Sequence, residues 1–339
     1  MPPAATTPRA LVRARPGMYI GDTSDTTGLH QMLWEVLANS LDEHLAGHCH
    51  HIRVTLHADD SVEVVDDGRG IAPERLRRLC TTLHTTGTAD AHTPHVHVGR
   101  GGAGLAVVNF LSAWFELEVH HGGARWTQRF ARGRPVTRLC RLGPTRRTGT
   151  RVRLLPDPSI FHTTELLHDH IKARLSELAA LGPGLVLDLH DLRRRRSRLA
   201  STDGLLDLLH ARLRHHDPPP PSLRLRDRTP TVALDVAIAF TGAHHSIDIT
   251  SFVNMQRTHG GGSHVRALLK GLHRALPNRP RDAGLTAAIH VILHHARFIN
   301  PTQDTLDEPT LERALTTTIT RLLRTELTRT PALRRALGA

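Results

Sequence analysis

A chain of 339 residues with 39% hydrophobic side chains has room for two domains with cores of their own, and it lacks any run near the roughly 18 apolar residues that a membrane helix needs. Met1–Pro16 has no apolar stretch of the secretory type. Cys49, Cys80 and Cys140 are too widely spaced for a disulfide framework or a CxxC metal site, so a cytoplasmic protein is expected. The formal charge of +12 reads equally as a surface for DNA and as a compositional skew, because Lys172 and Lys270 are the only lysines among many arginines.

In chain order, the spacing of Leu29, Leu33, Val36, Leu37, Leu41 and Leu45 predicts a helix over 27–45, stopped by Gly47. Strands are expected over 51–57 and 61–65 around Asp59-Asp60, then a helix over 73–84 opened by Pro73. The polar stretch 84–98 reads as a loop. A helix opened by glycines is expected over 102–113, strands over 115–120, 125–130 and 150–155, a helix over 164–181 and a strand over 185–189. Arg193–Arg196 reads as a solvated turn. Pro218–Pro221 is a stiff spacer and sets the expected boundary: a first domain over 1–212, a linker over 213–222 and a second domain over 223–339. Beyond it, strands are expected over 231–240, 246–254 and 285–293, with helices over 263–276 and 310–328. Both parts read as α+β.

Candidate chemistry sits in four places along the first part. Glu35, Asn39 and Asp42 share one helix face, where a carboxylate lies one turn from an amide oxygen suited to magnesium. Asp66-Asp67-Gly68-Arg69-Gly70 follows a strand, and its carboxylate can accept from an adenine amino group. Gly99-Arg100-Gly101-Gly102-Ala103-Gly104 precedes a helix, freeing backbone N–H groups for phosphates. Thr148-Gly149-Thr150 opens a strand. Each alone reads as readily as a polar helix face, a strand-ending turn or a hairpin.

Taken in order, these features resemble the GHKL ATPases, and within them the B subunits of type IIA topoisomerases. Arg15-Pro16-Gly17-Met18-Tyr19-Ile20-Gly21 is similar to a signature of that branch, as are Trp34–Glu43, Ala46–Cys49 and Val65–Ile71. Val107-Val108-Asn109 follows the glycines as expected. Phe252-Val253-Asn254 and Gly261-Gly262-Ser263-His264 resemble the branch's transducer domain. The resemblance covers nearly the whole chain. It implies a GHKL (Bergerat) ATPase α/β sandwich followed by a transducer α+β domain of ribosomal-protein-like fold.

By that resemblance Glu35 would be the general base, Asn39 would hold Mg2+, and Asp66 with Thr150 would read the adenine of ATP. Asp42, Gly70 and Ile71 would line the pocket, and Glu43 would pair with Arg69 at its rim. Gly99, Arg100, Gly101, Gly102, Ala103 and Gly104 would form the lid. The family's transducer loop carries a lysine that reaches the γ-phosphate, whereas this chain reads Pro301-Thr302-Gln303, and a second family lysine falls at Thr88. The N-terminal arm, which swaps across the family's ATP-closed homodimer, is short. The 339 residues carry no TOPRIM or tyrosine-bearing cleavage segment, so DNA strand passage would need other chains. Two functions are expected: an ATPase working with gyrase or topoisomerase subunits, or a nucleotide-binding paralogue that regulates or shields a gyrase B protein.

Overall fold

The structure, a computed structural model, describes residues 7–83, 98, 104–193, 195–241, 247–277, 284–300 and 303–331. The chain divides into two compact units, 1–200 and 201–339. In the first unit the elements are α1 (Pro8–Ala14), α2 (Gly17–Ile20), α3 (Thr27–Leu45), β1 (His51–Leu56), β2 (Val62–Asp66), α4 (Pro73–Thr81), α5 (Gly104–Leu111), β3 (Ser112–His121), β4 (Ala124–Ala131), β5 (Arg134–Pro135), β6 (Cys140–Pro144), β7 (Gly149–Pro156), α6 (His168–Leu181), β8 (Val186–Asp191) and β9 (Arg196–Leu199).

Among the described residues nine strands form one sheet in the order β5-β4-β3-β7-β2-β1-β8-β9, with β6 also on β4. Neighbours run antiparallel except β1 and β8, which pair in parallel through the crossover that contains α6. Alternation decides the faces. Ile52, Val54, Val62, Val64, Phe115, Leu117, Val119, Val152, Leu154, Leu187 and Leu189 are buried, while their strand neighbours are not uniformly so. The apolar face lies under α3, α5 and α6, with α3 over β2 and β7. The opposite face carries charges of alternating sign. Arg129 faces Glu116 at 3.1 Å, Glu116 meets Arg151 at 2.8 Å, and Arg151 reaches Glu63 at 2.8 Å, a ladder across β4, β3, β7 and β2. Arg153 lies over the Trp114 ring at 5.5 Å. Opposite charges on neighbouring strands let an arginine-rich face pair without repulsion.

The second unit contains α7 (Leu205–Arg212), β10 (Ser222–Arg228), β11 (Val232–Phe240), β12 (Ile247–Val253), β13 (Gln256–Arg257), β14 (Gly261–Gly262), α8 (Ser263–Ala275), β15 (Leu285–Leu293), β16 (Thr305–Leu306) and α9 (Pro309–Arg329). Its main sheet runs β10-β11-β15-β12-β13. β15 is buried along nearly all its length, as a central strand with both faces covered should be. Ala267, Leu268 and Leu272 of α8 and Leu315, Ile319 and Leu323 of α9 share a core with Val236, Ile238, Ile289 and Val291. The two helices cross at Gly271, where an added Cβ would lie 2.8 Å from Ile319.

The architecture is the α+β one expected, with local corrections. The expected first domain ended at residue 212, but the units part between Ala200 and Ser201, because α7 packs on β10, β11 and β15. The helix expected over 102–113 is helical only to Leu111, and β3 begins at Ser112 with no intervening loop. The helix expected from residue 164 starts at His168; before it, Glu165 N–H donates to Thr163 Oγ1 at 3.2 Å in a side-chain-closed turn. Arg196 opens a strand rather than lying in a turn. Among the described residues no helix is long and apolar enough to cross a membrane.

Candidate functional site

α3 is tied by hydrogen bonds at both ends. Thr27 N–H donates to Asp25 Oδ1 at 2.7 Å at the start. At the end Gly47, at φ +81°, lets the His48 N–H turn back to Glu43 O at 2.8 Å. Buried Leu29, Leu33, Val36, Leu37 and Leu41 fix the helix's rotation, so Glu35, Asn39 and Asp42 stand together. Glu35 is itself buried, and its Oε1 accepts from Gln31 Nε2 at 2.8 Å. Asn39 is exposed and donates from Nδ2 to Glu35 O at 2.9 Å, which turns its Oδ1 outward. Asp42 Oδ1 accepts from Val98 N–H at 2.5 Å. Gly104 comes so close that an added Cβ would lie 2.6 Å from Glu35 Oε2.

Asp66 ends β2 on the helix-facing side. Its Oδ1 accepts from Gly68 N–H and Thr150 N–H, each at 3.0 Å, and its Oδ2 accepts from Ser40 Oγ at 2.7 Å. Gly149, at φ +132°, is what allows this: any side chain there would collide with the Asp66 carbonyl. β7 therefore starts directly against Asp66 and presents the Thr150 amide to its carboxylate. Burial pushes the Asp66 carboxyl above its ordinary value, outweighing the donations from Ser40, Gly68 and Thr150. No cation pairs with it among the described residues. Gly70, at φ +74°, packs against the His120 carbonyl, and Ile71 is half-buried beside it.

At the rim, Arg69 forks onto Glu43, with Nε to Oε2 at 3.0 Å and Nη2 to Oε1 at 2.8 Å, while the Arg69 N–H also reaches Oε2 at 3.0 Å. Burial works to raise the Glu43 carboxyl, but the Arg69 bonds hold it below the usual range. Asp67 turns away and binds the His50 and His51 N–H groups at 2.8 and 2.9 Å, tying the turn to β1.

The structure thus gathers Glu35, Asn39 and Asp42 on α3 with Gly104, and Asp66 with Thr150 across β2 and β7. It joins Glu43 to Arg69. Gly99–Ala103, Thr88, Pro301 and Thr302 lie outside the described residues. Gln303 belongs to the second unit, where it takes φ +60° and its N–H donates to Asn300 O at 3.1 Å. Sequence reasoning missed Ser40 and Gln31 as participants. Gln31 stands one helical turn before Glu35, so helical spacing could have found it; Ser40 meets Asp66 from a distant part of the chain, which spacing along α3 does not show.

A small ligand entering here would meet a buried acceptor with a lone pair to spare, an outward amide oxygen, and a buried carboxylate beside a glycine-opened helix. Residues 24–159 match the family described as histidine kinase-, DNA gyrase B-, and HSP90-like ATPase. The chain is 36% identical over 344 residues to the B subunit of DNA gyrase from Thermotoga maritima, covering 90% of this chain and 53% of that protein. It is 35% identical over 297 residues to the B subunit of DNA topoisomerase 4 from Bacillus subtilis, covering 81% of this chain and 43% of that one. The chain spans about half the length of the curated relatives it matches. Its fold overlays the 43K ATPase domain of Thermus thermophilus gyrase B, solved with an aminocoumarin, at TM-score 0.83 and 29% identity, covering 98% of this chain and 93% of that one. Residues 24–159 of this chain form a domain of the histidine kinase-, DNA gyrase B- and HSP90-like ATPase family, and along nearly its whole length the chain resembles the ATPase-bearing half of the gyrase and topoisomerase IV B proteins.

Proposed function

We propose that the chain binds ATP with magnesium between α3 and the β2–β7 pair and hydrolyses it, acting with other chains in DNA topology. The observation that carries this is Asp66: a buried carboxylate fixed by Ser40, Gly68 and Thr150 donors at 2.7, 3.0 and 3.0 Å, with no cation beside it among the described residues. Such a group recognises a neutral donor with a fixed direction, as an adenine amine is, rather than a cation.

The residues fit a magnesium nucleotide. Neither Asn39 Oδ1 nor the Thr150 hydroxyl is engaged by another side chain among the described residues. Magnesium takes few protein ligands and prefers oxygen, so one amide oxygen beside phosphates suffices. When bound, the ion would draw charge from the phosphate oxygens. Glu35 takes the proton of the attacking water, and Gln31, bonded to Oε1, orients its carboxylate. Backbone N–H groups at the start of α5 receive phosphate oxygens, and the glycines at 99–103 close over them. The Glu43–Arg69 fork stiffens the rim of the pocket. Positioning and charge stabilisation of this kind supply most of the catalysis in phosphoryl transfer.

The same reading extends to an ATP-dependent homodimer, partnership with topoisomerase subunits, contact with DNA, and a cytoplasmic setting. A second reading is favoured by Gln303, which stands where the resembled loop carries its lysine: a nucleotide-binding paralogue that regulates a gyrase B protein without turning over. Steady-state ATP hydrolysis by the wild type and Glu35→Ala, with magnesium-dependent ATP binding on the same samples, separates the readings. Turnover in the wild type alone supports the ATPase. Binding without turnover in either protein supports the regulator. Absence of ATP binding defeats both.

A further inference from the structure

The charged face of the first unit's sheet holds an open cleft of about 610 Å3 that borders the candidate nucleotide site at Asp66, Asp67 and Thr148–Thr150 and extends from there over Arg53, Glu63 and Glu118. Its walls come from β1, β2, β3, β4 and β7 and from the loop at 145–148. Acidic side chains line it, but they are already engaged. Glu63 pairs with Arg151 at 2.8 Å, and Glu118 meets His120 at 3.2 Å and Arg125 at 3.8 Å. Asp67 is held by two backbone amides, and Asp66, at the cleft's edge, by Ser40, Gly68 and Thr150. On β8, Asp188 stands across the register from Arg53 but is bonded by His51 at 2.7 Å.

What remains is positive. Arg53 on β1, with Arg146 and Arg147 on the loop, has no carboxylate partner among the described residues, and all three line the same cleft. Arginine content alone would not make this a site. On the same face Arg129, Arg151 and Arg153 each have an acidic or aromatic partner, so the unmatched guanidiniums are concentrated rather than spread. Like charges held in a concavity raise the local potential and repel each other, a cost that an anion relieves. A guanidinium fork matches phosphoryl oxygens two at a time, and three forks in one cleft exceed what a single carboxylate ligand can satisfy. The volume lies within the range of about 300–1,000 Å3 typical of small-ligand sites.

We propose that this cleft is a phosphate-anion site adjoining the α3 site, in which Arg53, Arg146 and Arg147 hold the phosphoryl oxygens of a polyphosphate or of a nucleic-acid strand. The two sites share the edge formed by Asp66 and Gly149–Thr150, but the three arginines are not among the residues placed at the α3 site, so their substitution tests the cleft apart from ATP binding.

The test uses the full chain, the Arg146→Ser/Arg147→Ser double variant, and the triple variant that adds Arg53→Ser. Each is titrated across salt concentrations with inorganic tripolyphosphate, a labelled single-stranded DNA oligonucleotide, its duplex, and polyglutamate. A melting scan checks folding, and the double variant, confined to an exposed loop, keeps the test open if the triple one fails to fold. We expect a phosphate probe to bind the wild type and to lose about tenfold or more in affinity in the double variant. The slope of log K against log salt should become shallower by about 1 for each arginine removed. Tripolyphosphate that displaces the oligonucleotide identifies a compact ligand; DNA binding that tripolyphosphate does not displace identifies a strand backbone. The proposal is overturned if no phosphate probe binds the wild type, if the double variant binds as the wild type does, or if polyglutamate binds as tightly as phosphate.

Discussion

Thr150 and Asp66 meet where β7 and β2 begin and end, the Thr150 amide donating to Asp66 Oδ1 at 3.0 Å. Gly68 occupies the same oxygen and Ser40 the other, so the carboxylate cannot swing, and only the second lone pair of Oδ2 is free to face a ligand. Asp66→Asn would keep its carbonyl oxygen toward the backbone donors and put its NH2 where Oδ2 was. ATP affinity should fall about 10- to 100-fold, the worth of a lost charged hydrogen bond plus an opposed donor. Stability should hold or rise, because burial disfavours the charged Asp66 and Asn carries no charge. Calorimetric titration with a melting curve checks both, and unchanged affinity would remove Asp66 from the adenine site.

Gly104→Ala tests how Glu35 is held. The new methyl would sit 2.6 Å from Oε2, so the carboxylate, the end of a flexible chain, must shift. The fold should tolerate this, since alanine favours a helix by about 1 kcal/mol over glycine. Turnover should fall by about 100-fold, the scale set by an ångström of misplacement, with ATP affinity little changed. Equal turnover would mean that Oε2 is not the working oxygen.

Gln303→Lys restores the charge of the resembled transducer loop. Gln303 already sits at φ +60°, which lysine adopts no less readily, so the turn closed on Asn300 should survive. Turnover should rise by at least about tenfold, given that a single charge-stabilising donor is worth about 100- to 1,000-fold. Lack of gain at equal ATP affinity would show that the limiting defect is elsewhere.

Acid should loosen the second unit. His264 and His290 are buried and kept neutral, pushed down to about 3 and about 4 by burial. In the unfolded chain a histidine titrates near 6.5. Below that pH the unfolded state gains protons that the folded state refuses, so stability falls as pH falls. Each histidine costs about 1.4 kcal/mol per pH unit, both between about pH 6.5 and 4 and His264 alone from there to about 3. The three tryptophans, Trp34, Trp114 and Trp126, all lie in the first unit, so hydrogen exchange of β12 and β15 peptides is the proper probe. His290→Gln should remove about half of the slope between pH 6 and 5. Exchange rates in that unit that do not respond to pH beyond intrinsic chemistry would contradict the assignment.

The sequence made α3 legible to the residue, because a stripe of leucines ended at a glycine able to take positive φ. The passage from α5 to β3 was illegible: Leu105–Leu111 is buried on every side, and Ser112 joins the strand with no breaker to mark the change. α7 was missed because the prolines at 218–221 drew the boundary past a short helix whose packing partners come later in the chain. Within the site, order along the chain pointed to Glu35, Asn39 and Asp66. The Ser40 and Gly149 contributions depend on which strands become neighbours, and β7 beside β2 is a fact of tertiary pairing across residues 65 and 151. No local pattern encodes that.

The parallel pairing of β1 with β8 sets an order on biosynthesis. Ile52 aligns with Leu187, a separation of 187 − 52 = 135 residues. At about 5–20 residues per second, the hairpin of β1 and β2 waits some 7–27 s on the ribosome with the β1 edge unpaired. Until β8 arrives, the hydrogen-bonding groups of that edge are open to any extended segment nearby, including the same hairpin on a neighbouring nascent chain. Truncations that end before residue 186 should therefore accumulate as aggregates rather than as smaller folded units, and the second unit, whose strands all lie beyond that point, should complete its fold only after the first has closed.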